Sequence, residues 1–481
     1  MIIPAKSRGA IAGVLAAGAA ASGVFAAAAL GSAPTANASC ASFFGLGNSA
    51  DCTSTPLSVA IAIGNGATAN ASGLFGAAFA VGTNSAAKTG DAFTVATAVG
   101  NGSAATADGL FGIATQLGPN GSATTAGSGL IGNPGFNIAL NVTTPKAGAT
   151  SSSVVAGGTG GGGNIALNIF GTGTAGNPNS MKVVANGILD IASNWGGRNN
   201  DVESGSSASG SIINLATNIF GSNNVVTAKG GIWNWATNIL GDTNHVETQG
   251  SLANTASNLL GSNNKVLTEV GYLNWGASVL GNGNDVEVDG GYSNVVRNLF
   301  GSNNTVTTTG NGYGNLAQNW FGTGNSVSIL AGIYNNATNL LGGNDNQLVS
   351  LGGYQDLVFN LIGSHNVLTV GGSGSNWNLV INSLSSANHV TAGGTYTAGF
   401  NVLGGTNTVK AGPGPLSLAG TIFTTGQTVT KTGTGIAINN FRIGGASATS
   451  GSASSTAAAA KSTTAGSGNT TGTAGSKRAK S

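Results

Sequence analysis

Asn214-Leu-Ala-Thr-Asn218-Ile-Phe-Gly221-Ser-Asn-Asn224-Val-Val226 is answered twenty residues on by Asn234-Trp-Ala-Thr-Asn238-Ile-Leu-Gly241-Asp-Thr-Asn244-His-Val246. Laid in that register, a turn glycine recurs at Gly221, Gly241, Gly261, Gly281, Gly301, Gly322, Gly342, Gly363 and Gly404, with Ser385 in the gap. One asparagine column reads Asn214, Asn234, Asn254, Asn274, Asn294, Asn315 and Asn335, then Asp356 and Asn378. A second begins Asn224, Asn244, Asn264, Asn284 and Asn304. A fixed period of this size is the mark of a repeat architecture.

Glycine and asparagine in every unit argue against helix. Alternation argues for strands, because successive side chains leave a strand on opposite sides. After Asn224, the columns of Val226 and Ala228 hold small apolar residues, Thr or Ser, whereas those of Val225 and Thr227 hold His245, Lys265, Asp285, Glu247 and Glu287. One face therefore turns inward and the other meets water. In the preceding strand the even columns, Ile212, Asn214, Ala216, Asn218 and Phe220, carry almost no charge and are expected inside. Coils stacked at about 4.8 Å place like residues over like. A buried Asn can then bond to its neighbours above and below, offsetting a penalty of about 1–3 kcal/mol for an unpaired polar group. Each coil covers its apolar side only against the next, which is why many copies are needed. The expected fold is an all-β β-solenoid. Its handedness, and two sides against three, stay open at this point.

The period differs elsewhere. Gly64, Gly82, Gly100 and Gly118 are spaced by eighteen, with an apolar residue every six (Ile63, Ala69, Phe75, Val81). The reading divides the chain into a leader (1–38), a cysteine-bearing segment (39–56), an 18-residue repeat solenoid (57–131), irregular Gly-rich coils (132–210), a 20-residue repeat solenoid (211–412), capping strands (413–446) and a flexible basic tail (447–481).

The leader has Lys6 and Arg8, an uncharged Ala/Gly/Val/Leu run from Ala10 to Leu30, Pro34, and the small-residue site Ala36-Asn37-Ala38. That is the layout of a secretory signal peptide. A run of this length also fits a retained anchor. Cys40 and Cys52 are the only cysteines, and in an exported chain two close cysteines favour a disulfide over two free thiols.

Of 481 residues only 16 are Lys or Arg and 14 are Asp or Glu, against about a quarter charged in ordinary soluble domains. The net charge of +2 points to no nucleic-acid partner, and three histidines with two cysteines suggest no metal or cofactor. The odd positions of the asparagine strand are expected outside, yet Trp233, Trp235, Leu273, Trp275, Trp320, Tyr334 and Trp377 fall there. Contiguous exposed apolar surface marks a partner, so this stripe is the candidate binding site for an envelope component or for self-association. Catalytic patterns are sparse. Glu247 and Glu287 share an outward column two coils apart, about 9–10 Å, near the spacing of inverting glycosidases. A carbohydrate-active parallel β-helix enzyme is therefore the alternative to a structural or interaction rod.

The 18-residue block is similar to the hexapeptide pattern of left-handed β-helices. Its segment Ser58-Val-Ala-Ile-Ala-Ile-Gly64-Asn-Gly-Ala-Thr-Ala resembles the head repeats of trimeric bacterial adhesins. With its Ala/Gly-rich leader, its Asn-Ile-Phe-Gly-x-x-Asn repeats, and the segment from Gly412-Pro-Gly-Pro-Leu416 through Ile436-Ala-Ile-Asn-Asn-Phe441, the chain resembles the secreted Gly/Asn/Ala-rich repeat proteins of mycobacteria. It lacks the Pro-Glu or Pro-Pro-Glu helical leader of the best-known mycobacterial repeat families. The resemblance implies export and a cell-envelope or extracellular location, and it carries over no functional residue.

Overall fold

The computed structural model describes residues 39–127, 135–144, 149–158, 161–174, 181–206, 210–372, 374–445 and 447–451. The leader 1–38, its cleavage site and the tail beyond 451 lie outside them, as do parts of the irregular coils.

Each coil contributes one strand to each of two sheets. The asparagine sheet carries the Asn218 column and has 22 strands, and the valine sheet carries the Val226 column and has 20. Repeats stack in register, Ala216 beside Ala236 and Val226 beside Val246. The solenoid is thus two-sheeted, with a narrow third ladder at one corner running from Ile188 through Ile212, Ile232, Leu252 and Tyr272 and on to Thr395. The irregular segment does not interrupt the stack. Successive ladder residues Asn137, Asn164, Asp190, Asn214 and Asn234 are 27, 26, 24 and 20 residues apart, and the strands between them stay parallel.

The interior is thin. Ala216, Ala236 and Ala256 of one sheet and Val226, Val246 and Val266 of the other are all fully buried. Three asparagine columns complete the core. In the first, the main-chain N–H of Asn234 donates to Asn214 Oδ1 at 2.8 Å, and that of Asn254 to Asn234 Oδ1 at 3.0 Å. The third works the same way, with Asn244 N donating to Asn224 Oδ1 at 2.9 Å. The middle column is a side-chain ladder, in which Asn238 Nδ2 donates to Asn218 Oδ1 at 2.7 Å and Asn258 Nδ2 to Asn238 Oδ1 at 2.8 Å, and late in the rod the third column adds such bonds, as Asn366 Nδ2 to Asn346 Oδ1 at 3.1 Å. Asparagine serves here because one side chain accepts from a neighbouring coil through its oxygen and donates to main chain or to another amide through its nitrogen.

The inward assignment of the Ile212 and Phe220 columns is corrected by the backbone. Ile213, Trp233, Leu273, Tyr334 and Trp377 have φ between 56° and 61°, and Phe220 and Leu240 have φ of 54° and 59°. A left-handed residue rotates the chain, so simple alternation holds only between these corners. The first corner turns two consecutive columns outward, and the second turns Phe220 (56% exposed) out of the core. Such conformations cost roughly 1–3 kcal/mol each and persist where surrounding structure dictates them. Here the N–H of each corner residue bonds to the neighbouring coil, as Trp233 N does to Ile212 O at 3.0 Å.

The parallel stack extends past 412: Ser417–Ile422 lies on Ala398–Val402, and Gly435–Ile438 on Ser417–Ile422. Capping is done by antiparallel strands, Ser39–Phe43 against Val59–Ile63 at one end, and Phe441–Ile443 and Ser447–Gly451 at the other. These cover edges that would otherwise template association. Cys40 and Cys52 form a disulfide that ties the first cap strand to Cys52–Ser54 in the valine sheet.

Candidate functional site: an apolar face with an aromatic edge

Of the asparagine sheet's strands, Ser39–Phe43, Leu46–Gly47 and Phe441–Ile443 are end pieces, and the remaining 19 stack in parallel. The inner positions of these strands hold Ala, Gly, Val, Ser, Thr or Asn, with Gln116 the one larger side chain, so the alternate positions face away from the core. The first strands read Val-Ala-Ile-Ala-Ile (59–63), Ala-Ala-Phe-Ala-Val (77–81) and Val-Ala-Thr-Ala-Val (95–99), each with the two central Ala buried. Later strands follow suit, as in Ile-Ala-Leu-Asn-Ile (165–169) and Leu-Ala-Thr-Asn-Ile (215–219). The outward columns are mostly Val, Ile, Leu, Thr and aromatic residues.

All six tryptophans of the chain lie on this side. Trp233 (59% exposed), Leu273, Tyr334 and Trp377 occupy the left-handed corner column. Trp235 (52%) and Trp275 begin the strands beside it. Trp320 stands across the sheet, in the column that holds Trp195 and Ile219. The candidate residues therefore do not form one line. They frame the width of a face.

Alternation alone missed the corner neighbours. Tyr272, Tyr292, Tyr313 and Tyr354 share the Ile212 column and are exposed. With Tyr334, Trp377 and Tyr396 they make a continuous aromatic edge. Tyr272 and Tyr292 stack at 4.6 Å between ring centroids, Tyr313 meets Tyr334 edge-on at 5.3 Å, and Trp377 stacks on Tyr396 at 6.3 Å. In the 18-residue block the same corner carries Phe75, Phe93 and Phe111, stacked at 5.2 and 5.1 Å. These phenylalanines are part of the six-residue beat, yet they stand outside the core while Ala69 and Ala87 of the same beat are buried. One signal in the sequence could have found the edge: a tyrosine column cannot fit a core lined by Ala and Val. Opposite, the Phe220 column repeats the pattern, with Phe300 stacked on Phe321 at 4.9 Å. Near the C-terminal end Tyr334, Gln355, Leu357, Trp377 and Leu379 line a shallow hollow in this face.

Arg297 is the one charged side chain facing out from the 19 parallel strands, and its guanidinium lies 4.4 Å from the centroid of Trp275. The valine sheet is the reverse. Its outer columns carry ion pairs between coils: Lys229 Nζ to Glu203 Oε2 at 3.2 Å, and Lys265 Nζ to Asp285 at 3.5 Å and to Glu287 at 3.4 Å. Charge thus sits on one broad side of the rod and apolar surface on the other.

Glu247 and Glu287 lie on that charged sheet with Leu267 between them. Glu247 accepts from His245 at 2.9 Å and from Gln249 at 2.6 Å, and the His245 hydrogen bond foremost holds its carboxyl below the usual range. A general acid needs the opposite shift. Among the described residues no group of three His, Cys, Asp or Glu could hold a metal ion, and no helix is long and apolar enough to cross a membrane.

Compared with protein-family models, with curated proteins and with solved structures, the chain matches none.

Proposed function

We propose that this chain is an exported structural or interaction rod, held at the cell surface or released from it, that works by presenting its apolar face to a partner or to an envelope component. One observation carries the reading: every tryptophan and the tyrosine edge lie on one nearly uncharged side of a rod whose charges sit on the other. Exposed apolar surface on this scale is costly in water and is the usual signature of a surface that becomes covered. Trp and Tyr suit that role because each offers a large apolar body with a polar tip. Export is supported by the Lys6/Arg8 start, the uncharged run and the Ala36-Asn37-Ala38 site. The solenoid supplies a rigid support that places these side chains at a constant pitch.

The test is fractionation of the cells that make the protein, comparing the natural chain with Trp233→Ser/Trp235→Ser/Trp275→Ser. The natural chain is expected in the envelope or extracellular fraction, and the triple variant is expected to lose attachment while keeping its β-sheet circular dichroism. Retained attachment in a folded triple variant rejects the role of the face. A cytoplasmic natural chain rejects export.

A further inference from the structure

We infer that the occupant of the apolar face, over its uncharged stretch, is the same face of a second copy of this chain. This rests on the reading above and commits it to one partner.

The stretch runs from strand Val59–Ile63 to strand Thr255–Leu260, stopping one coil short of Trp275, whose ring carries the Arg297 guanidinium, and it contains ten parallel strands. Five residues at about 3.3 Å and ten coils at about 4.8 Å give a face of about 17 by 48 Å, or about 800 Å². A standard stable interface covers about 800 Å² on each partner. The face is therefore large enough for a dimer without Arg297 being buried.

Its texture fits a sheet better than a lipid phase. The outer columns are dominated by Val and Ile, whose β-branched side chains hold few rotamers and lose little entropy when two sheets interdigitate at about 10 Å. The middle column carries hydroxyls at Thr97, Thr115, Ser193 and Thr217, and Ser193 Oγ already donates to Thr217 Oγ1 at 3.1 Å. Hydrocarbon would leave such groups without further partners. Two copies related by a two-fold axis in the plane of contact lay middle column over middle column: with parallel rods each hydroxyl meets its own counterpart, and with antiparallel rods centred on this stretch Thr97 meets Thr217 and Thr115 meets Ser193. Both charged valine sheets then face outward. The antiparallel caps block end-to-end growth through the strand edges, which leaves the broad face as the route to assembly.

Sedimentation equilibrium of the full chain tests this, with Phe79→Lys/Leu167→Lys on the face and Thr307→Lys on the valine sheet as a control. The natural chain and Thr307→Lys are expected at twice the chain mass at micromolar concentration. The double variant is expected at single mass, its dimer dissociation constant raised at least a hundredfold, with unchanged circular dichroism. If the lysine pair prevents folding, Leu140→Gln/Leu167→Gln, a residue the same column already holds at Gln318, gives the same readout. A natural chain at single mass up to 100 µM overturns the inference, as does a folded face variant that stays dimeric. If that monomeric chain still binds the envelope fraction or neutral phosphatidylcholine vesicles, only the identity of the partner fails. If it binds neither, the interaction reading fails with it.

Discussion

Ser375 Oγ donates to Asp356 Oδ2 at 2.9 Å across one coil, and Ser211 Oγ donates to Asp190 Oδ2 at 2.8 Å in the same way. These are the two places where the first asparagine column holds an acid. An Asn there sends its amide N–H to a glycine carbonyl, as Asn234 Nδ2 does to Gly230 O at 2.6 Å. An acid cannot donate when ionised, and in both cases the next coil supplies a hydroxyl donor in its place.

That compensation is incomplete at neutral pH. Burial pushes both carboxyls above their ordinary value of 3.8, against the lowering effect of the hydrogen bonds they accept. A carboxyl raised on folding favours the protonated form in the native state. Its contribution is fully present below the ordinary value and is lost as pH rises through the raised one. Asp356→Asn should therefore raise the melting temperature at pH 7, since an amide carries no charge to desolvate and can donate to Ser375 Oγ where the carboxylate accepts from it. The gain should shrink as pH falls through the raised value and be gone below the ordinary 3.8. Melting curves from pH 3 to 7 for the natural chain and the variant check this, and a pH-independent difference would contradict it.

The middle ladder predicts a contrast between two buried positions. Asn238 both donates to Asn218 and accepts from Asn258. Asn238→Ala deprives two buried amides at once, at about 1–3 kcal/mol for each group left unpaired. Ser278 occupies the same column one coil beyond Asn258, and its hydroxyl is touched only by a long 3.4 Å bond from Asn284. Ser278→Ala should cost less than about 1 kcal/mol. Urea unfolding of the two variants should rank them in that order.

The turn after the asparagine strand predicts another. Gly241 has φ 144°, and a Cβ there would run into the carbonyl oxygen of Gly261 on the next coil. Gly241→Ala should therefore destabilise the neighbouring coils by more than the 1 kcal/mol that glycine usually carries in propensity. One coil earlier, two residues past Gly221, Asn223, with φ 57°, sits at an exposed left-handed position, and Asn223→Gly should be close to neutral. Thermal melts of both variants measure the gap.

The period carried most of the fold to the reader of the sequence. Columns such as Asn214 to Asn335 and Val226 to Val246 can be aligned by counting, and stacking follows once the rungs are of equal length. What counting does not reveal is a corner where one residue turns left-handed. Leu273 and Trp377 take φ of 57° and 58° with no glycine to announce it, because the stack dictates the conformation and local propensity does not. For that reason Trp233 and Trp235 were legible as outward residues while Tyr272 and Tyr292 were not. The same rotation hid Phe220. The coils of 24 to 27 residues were hidden differently: their described extra length includes a separate pair of short strands, Ala149–Thr150 and Gly173–Thr174, outside the two stacked sheets, so the repeat looks broken where the ladder is continuous.

The disulfide gives the last prediction, which turns on how a solenoid distributes its stability. Each coil touches only its neighbours, so a local change is felt locally and the ends open first. Cys40 and Cys52 pin the cap strand Ser39–Phe43, which shields the edge of Val59–Ile63. Closing a short loop of this kind is worth about 2–4 kcal/mol, but here that amount bears on the first coils alone. Cys40→Ser/Cys52→Ser should speed amide hydrogen exchange across residues 39–63 by at least tenfold, with exchange in 211–412 unchanged. Chemical reduction of the natural chain should reproduce the pattern. Equal acceleration along the whole rod would mean that the stack opens as one cooperative unit, contrary to a structure in which the cap contacts the first coils and nothing further along.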